Sequence, residues 1–361
     1  MELVKRSILD EYYTSIKEYG DENPIHFTEQ KDPITFEDFH LLNGRQVSAS
    51  SVNAFIEKMI DSLRIPALSI AILNGENTVY HHNYGFKDLE DSTRVDANTL
   101  FEAASISKPF FSYAVMKLNE QEVLDLDDPL SNYYVLEDLS HDPRHELLTT
   151  RMVLTHTTGL PNWRTDSLKL EADPGKEHIY SGEGFEYLGR VISEIEQRDL
   201  NEILEQFLLE PFEMNYSTFI EDANTKFNKT TGHRNLEVSG RNISFSAHPA
   251  YGLRTNAREF ANFLGAVHKT PLFQEMRTPQ FEIDSLKSVG LGLFIRKTDF
   301  GLKYYHTGNN SNRFTGRFEL YPDQDFGFVF FTNCEKEEEI TSELLKLFSN
   351  DYLISQYPLG D

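Results

Sequence analysis

Strand-like runs sit near both ends of this chain with a mainly helical stretch between them, so any sheet it forms must pair early strands with late ones. The early runs cover 67–73 and 78–84 and are joined by Asn74-Gly75-Glu76-Asn77. An Asn-Gly between two such runs is a strong hairpin signal. The late runs cover 289–296, 303–306, 317–320 and 326–332. Helical spacing of apolar residues marks 51–63, stopped before Pro66, then 182–197 and 200–209, then 257–268 and 337–348. At 361 residues the length suits about two domains and a core large enough for an enzyme.

Three short motifs carry the chemistry: Ser105-Ile106-Ser107-Lys108, Tyr180-Ser181-Gly182 and His306-Thr307-Gly308. The first lies between the apolar run 100–104 and a helix-like stretch, 109–118, with Phe110, Phe111, Val115 and Leu118 on roughly one face. Ser105 therefore falls at a helix start, and Pro109 agrees, since its missing N–H is tolerated only in or near the first turn. Residues three apart on a helix share a face, which lets the Lys108 amine reach the Ser105 hydroxyl. The free amides and the positive dipole end of that turn favour developing negative charge. An ammonium cannot accept a proton, so a base role for Lys108 requires its pKa to fall, by burial or by a second cation. The Tyr180 phenol can both accept and donate, which suits a proton path. Taken alone, Ser105 and Lys108 also read as an N-cap serine and a solvated lysine.

Taken together and in this order, the motifs resemble the serine β-lactamase and penicillin-binding protein superfamily. The similarity is to the branch holding class C β-lactamases, D-alanyl-D-alanine carboxypeptidases, D-aminopeptidases and related esterases. Supporting segments are 151–161, with His156-Thr157-Thr158-Gly159-Leu160-Pro161; Tyr251-Gly252-Leu253-Arg254-Thr255-Asn256-Ala257; and Tyr321-Pro322-Asp323 followed by the apolar run 327–331. The resemblance covers about residue 51 onwards. It implies an α/β (α+β) fold: an antiparallel sheet flanked by terminal helices, beside an inserted helical lobe, with the nucleophile in the cleft between them. The expected division is an acidic extension at 1–47, a sheet domain from 48–104 and 245–361, and a mainly helical lobe at 105–244.

The resemblance also implies roles. Ser105 would be the acylated nucleophile, Lys108 and Tyr180 would share general base and acid work, and His306 would line the anion-facing strand edge. The backbone N–H groups of Ser105 and Asn309 would form the oxyanion hole, each contributing on the order of 3 kcal/mol to the transition state. Thr307, Gly308, Asn310, Arg313 and Gly182 would contact substrate. The reaction would be two-step acyl transfer on an amide or ester.

Three departures from the family pattern bear on the substrate. Gly182 stands where many relatives carry Asn, whose amide contacts the lysine and the substrate. His306 replaces the Lys of class C β-lactamases, and imidazole is mostly neutral at pH 7. The stretch Asn309-Asn310-Ser311-Asn312-Arg313-Phe314 is bulkier than the small residues usual there. Arg313 can pair a substrate carboxylate or can simply be solvated on a strand. These departures point to peptidase or esterase chemistry with weak β-lactamase activity at most. Two alternatives stand beside it: a true class C-type β-lactamase, and a non-catalytic or acylation-only sensor or scaffold.

Composition narrows the partners. With 58 acidic against 34 basic residues the net charge is −24, which opposes nucleic acid and anionic membranes. No run approaches the roughly 18 apolar residues of a membrane span. Residues 1–20 lack a signal-peptide apolar core, so the sequence reads as cytoplasmic as given, or as periplasmic or secreted after loss of a leader. Cys334 is the sole cysteine, which excludes an intrachain disulfide. His141 and His145 have helical spacing, but Pro143 between them and the absence of His-Glu-x-x-His argue against a metal. The chemistry calls for no cofactor. His156 is expected to pack or to orient a loop. No Gly-x-Ser-x-Gly elbow is present, which disfavours an α/β-hydrolase. In the acidic extension a helix over 7–19 fits the pattern, the rest being an arm across the body or onto a second subunit.

Overall fold

The computed structural model of the protein describes residues 38–221, 225, 228–240 and 243–349. The helix expected over 7–19 lies outside them. The chain forms a nine-stranded antiparallel sheet: β1 Ala67–Asn74, β2 Asn77–Asp88, β3 Thr93–Arg94, β4 Phe281–Glu282, β5 Lys287–Val289, β6 Phe294–Thr298, β7 Gly301–Asn310, β8 Phe314–Tyr321 and β9 Phe326–Thr332. Their order across the sheet is β4-β5-β6-β7-β8-β9-β1-β2-β3, so early β1 pairs with late β9, with Ala71 opposite Val329. The expected single strand over 289–296 is instead two. Gly290 to Leu293 turn between β5 and β6, with Gly292 in the left-handed region at φ +87°. That conformation breaks a ladder and is open to glycine at little steric cost.

Alternation along β1 gives the sheet two apolar faces. Leu68, Ile70 and Ile72 join one core with Phe328 and Phe330 of β9, while Ala67, Ala71 and Leu73 join the other with Val329 and Phe331. Helices α1 (Ala49–Leu63) and α5 (Glu337–Ser349) cover the first face. In α1 the buried Val52, Ile56 and Met59 form one stripe at helical spacing. The Ser48 hydroxyl accepts from the Ser51 N–H to start the helix, a cap contributing about 1 kcal/mol. Phe39, Leu41 and Leu42, at the end of the acidic extension, are buried in this same core.

On the second face lie α2 (Ser107–Glu120), α3 (Gly182–Glu196) and α4 (Ala257–Val267), within one continuous core. Phe110 is its hub, edge-to-face with Phe263 at 4.7 Å and stacked on Phe219 at 6.2 Å. α4 is seated directly on β1, where the Ser69 hydroxyl accepts from the Ala257 N–H at 2.9 Å. The segment from 101 to 276 therefore enters the sheet's far face as a helical layer and returns to the sheet at β4. Among the described residues no helix is long and apolar enough to cross a membrane.

Candidate active site

The nucleophile candidate sits on a turn held from both sides. A two-strand ribbon, Phe101–Glu102 against Arg254–Thr255, delivers the chain to Ala104, whose φ of +50° is unusual for a residue with a side chain. A 3-10 turn, Ala104–Ile106, then runs into α2. The Ser107 hydroxyl donates to the Ala104 carbonyl at 2.6 Å and accepts from the Leu253 N–H at 3.0 Å, locking the turn. Ser105 remains partly exposed while Lys108, three residues on, is completely buried.

Lys108 reaches Ser105 as the spacing requires: Nζ lies 3.2 Å from Oγ and donates to the Ala250 carbonyl at 2.8 Å. Burial lowers its pKa to about 7, partly opposed by the Glu186 carboxylate. Of the two routes to a neutral amine, desolvation is the one in play. Glu186 accepts from the Ala250 N–H at 3.2 Å and from His248 Nδ1 at 3.0 Å, so the residue whose carbonyl receives the amine is itself held.

The Tyr180 ring lies under the amine, 4.8 Å from Nζ to centroid, and its buried hydroxyl has no hydrogen-bond partner. Burial raises the phenol pKa and the Ser105 hydroxyl partly counters this. His156 holds the Tyr180 loop: its Nδ1 accepts from the Ser181 N–H at 3.0 Å and its ring stands 4.3 Å from the Tyr180 ring. That is the loop-orienting role expected for it. Burial, with Lys108 nearby, keeps the His156 pKa well below the usual imidazole range, so the ring is an uncharged acceptor. The Ser181 hydroxyl caps α3 by accepting from the Gly184 N–H at 2.9 Å.

The third motif forms a half-open strand edge. β6 pairs with β7 only over 301–305, whereas β8 pairs with it through Asn310. Residues 306–310 thus keep one edge outside the ladder. Gly308 brings this strand against the nucleophile turn, because a Cβ there would stand 2.2 Å from the Ala103 carbonyl oxygen. His306 donates from Nδ1 to the Thr307 carbonyl at 2.7 Å, which leaves a buried Nε2 without a hydrogen-bond partner. Burial, then the Lys108 charge, lowers its pKa to about 3, so it presents a lone pair rather than a cation.

The remaining sequence candidates have other neighbours. Asn309 lies on the open stretch, but its side chain is tied into the β7–β8 turn with Asn312 at 2.6 Å. Asn310 donates to Glu102 at 2.8 Å, and Glu102 pairs with the buried Lys229 at 3.1 Å. Arg313 donates to the Ser239 carbonyl at 2.8 Å, in the ribbon Gly232–Arg234 and Glu237–Gly240. Thr307 alternates with His306 and Gly308 along β7. Gly182 donates to Asn162 and carries Trp163 against its bare Cα, where a Cβ would be 2.5 Å from Cη2 of the indole. Among the described residues no three His, Cys, Asp or Glu side chains are gathered as a metal would need.

The sequence reading does not single out Ser107, Glu186 or Trp163. Glu186 had one available signal, since it stands four residues after Gly182 on the same face of α3. Ser107 lies inside the first motif, yet its partner Leu253 is remote in sequence.

A sequence model of the family described as Beta-lactamase matches residues 52–347. Protein flp of Staphylococcus aureus (strain MRSA252) is 21% identical over 321 residues, covering 80% of this chain and 64% of flp. Penicillin-binding protein 4* of Bacillus subtilis (strain 168) is 24% identical over 170 residues, covering 41% of this chain and 36% of that protein. The chain thus spans less than two thirds of the length of these curated relatives. The fold is similar to that of the octameric penicillin-binding protein homologue from Pyrococcus abyssi, with TM-score 0.71 and 22% identity over 83% of this chain and 76% of that one. It is also similar to that of a class C beta-lactamase, with TM-score 0.70 and 19% identity over 86% and 96%.

Proposed function

This chain belongs to the β-lactamase family, and from that premise we propose that it is a serine hydrolase that cleaves an amide or ester through an acyl-enzyme on Ser105. The observation that carries the reading is the fully buried Lys108 amine 3.2 Å from a partly exposed Ser105 hydroxyl, with a pKa brought to about 7 by burial. A base poised near the working pH is half available and still basic, the compromise that general-base catalysis favours.

In the first step Ser105 Oγ attacks the substrate carbonyl while its proton passes to Lys108 Nζ. The backbone N–H groups of Ser105 and Asn309 stabilise the oxyanion. Tyr180 passes the proton on to the leaving amine or alcohol, and the tetrahedral intermediate collapses to the ester on Ser105. Water then attacks that ester, its proton returning along the same path, and the acid product leaves with Ser105 restored. His306, uncharged at pH 7, lines the open edge of β7, where Thr307 and Gly308 offer backbone to the substrate. A permanent cation is missing from this position, which favours esters, and amides without a carboxylate beside the scissile bond, over efficient β-lactam hydrolysis.

The test is turnover of a p-nitrophenyl ester, a chromogenic cephalosporin and a D-Ala-D-Ala peptide by one preparation. Ester cleavage is expected to exceed cephalosporin cleavage. A cephalosporin rate equal to or above the ester rate overturns the substrate assignment, and a stoichiometric adduct that persists assigns the chain to acylation without turnover.

A further inference from the structure

Glu102 carries its carboxylate into the interior, 2% exposed, three positions before Ser105. A carboxylate is almost never so buried unless it is paired and hydrogen-bonded, and this one is both. Its Oε1 lies 3.1 Å from Lys229 Nζ, and its Oε2 accepts from Asn310 Nδ2 at 2.8 Å. Lys229 is buried as well and also pairs with Glu221 at 3.4 Å. Backbone bonds fix the Lys229 segment: the Leu100 N–H donates to the Asn228 carbonyl at 2.8 Å, and the Thr230 N–H to the Leu100 carbonyl at 2.9 Å. The carboxylate is thus anchored by a buried cation whose own segment is tied two residues before Glu102.

From that anchor the bond to Asn310 crosses to β7. Asn310 is the last residue of β7, where β6 no longer pairs and only β8 holds the strand. A strand end held along one edge frays more readily than one inside a ladder. Two fastenings oppose this, and they flank Asn309. Gly308 packs so close that a Cβ would stand 2.2 Å from the Ala103 carbonyl oxygen, and Asn310 bonds Glu102, the neighbour of Ala103. The Asn309 side chain adds nothing here, being tied to Asn312. The second fastening is an amide donating to a carboxylate, a charge-assisted bond about twice as strong as a neutral pair.

We infer that Glu102 and Asn310 are positioning residues, a buried clasp that sets the spacing between the Ser105 and Asn309 amides of the oxyanion hole, a role that rests on the acyl-transfer reading above. Asn310 then serves the site without touching substrate, unlike the contact that motif resemblance implies for it, because its side-chain amide is directed at an interior carboxylate. A misplacement of about 1 Å at a catalytic group can lower a rate on the order of 100-fold. Such a clasp acts on the transition state, where the oxyanion forms, and little on the binding of the uncharged ester. A residue in contact with substrate would instead change affinity and would discriminate between acyl groups.

The first turnover of p-nitrophenyl acetate and of p-nitrophenyl butyrate separates the acylation rate constant from the apparent Kd. Asn310→Ala is expected to lower the rate constant about 10- to 100-fold for both esters alike, with Kd changed by less than about twofold. Glu102→Ala removes the same bond from a residue that substrate cannot reach, so it should lower the rate constant by a similar factor. The double variant should then lose no more than either single one. Denaturant unfolding shows which variants are folded, and if Glu102→Ala is not, Asn310→Ala decides alone. Amide hydrogen exchange followed by mass spectrometry reads the clasp without turnover: in Asn310→Ala, exchange over 306–314 should quicken about tenfold while exchange in β1 stays unchanged. Unchanged exchange over 306–314, a loss confined to Kd, or a loss that differs between the two esters overturns the clasp. Faster exchange in a protein whose unaltered form is acylated by neither ester retains the clasp between the two segments and overturns the acyl-transfer reading instead.

Discussion

In the proposed mechanism Lys108 is the residue on which the chemistry turns, and its environment makes signed predictions. Burial lowers its pKa to about 7, with the Glu186 carboxylate partly opposing that fall. As pH falls through about 7 the amine gains a proton and can no longer accept one from Ser105, so kcat/KM for an ester should fall. Removing the Glu186 charge removes an attraction that favours the ammonium, so Glu186→Gln should move this acid limb to lower pH. A limb that moves upward, or stays fixed, would contradict that electrostatic account. Lys108→Met should cut kcat roughly 100- to 10,000-fold, the range for loss of a general base. His156→Ala leaves the Ser181 N–H without its acceptor, which should cost about 1–3 kcal/mol in denaturant unfolding.

At the scale of elements, the site depends on how closely β7 and the turn before α2 approach. Gly308→Ala should place a methyl group 2.2 Å from the Ala103 carbonyl, a backbone neighbour that cannot rotate aside. Overpacking of this kind typically costs about 1–3 kcal/mol, and here it also displaces the Asn309 amide, so kcat should drop more than KM rises. The Ser105–Lys108 pair was legible in the sequence because it is local, three residues apart at a helix start. The β1–β2 hairpin was legible for the same reason, its turn being written in Asn74-Gly75. The break between β5 and β6 was not, because Leu291 and Leu293 run on into Phe294 and Ile295 as an apolar stretch that masks the glycines between them. Roles set by remote partners were out of reach as well. Glu186 acts through Ala250, Ser107 through Leu253, and Trp163 through a glycine nineteen positions away. Tyr180 and His306 were found through motif resemblance, since nothing local links either to Ser105.

Across the whole molecule, the sheet separates one hydrophobic core from another that carries the candidate site. Phe330 is fully buried on the face covered by α1 and α5, away from α2 and α3. Phe330→Ala should cost about 3–5 kcal/mol of stability, read by denaturant unfolding, while kcat of the folded enzyme changes little. A large loss of kcat at full folding would show that the two cores are coupled more tightly than the sheet suggests. The family resemblance followed from the order of motifs and the pairing of early with late strands from where the strand-like runs fall, whereas the seating of each side chain required the fold. The central claim is that an uncharged Lys108 activates Ser105, and the rate of Ser105 modification by a fluorophosphonate, followed by intact-protein mass across pH, tests it most directly. The account predicts one adduct per chain, formed faster as pH rises through about 7 and absent in Ser105→Ala. Labelling that persists in Ser105→Ala, or a rate indifferent to pH in that range, would contradict it.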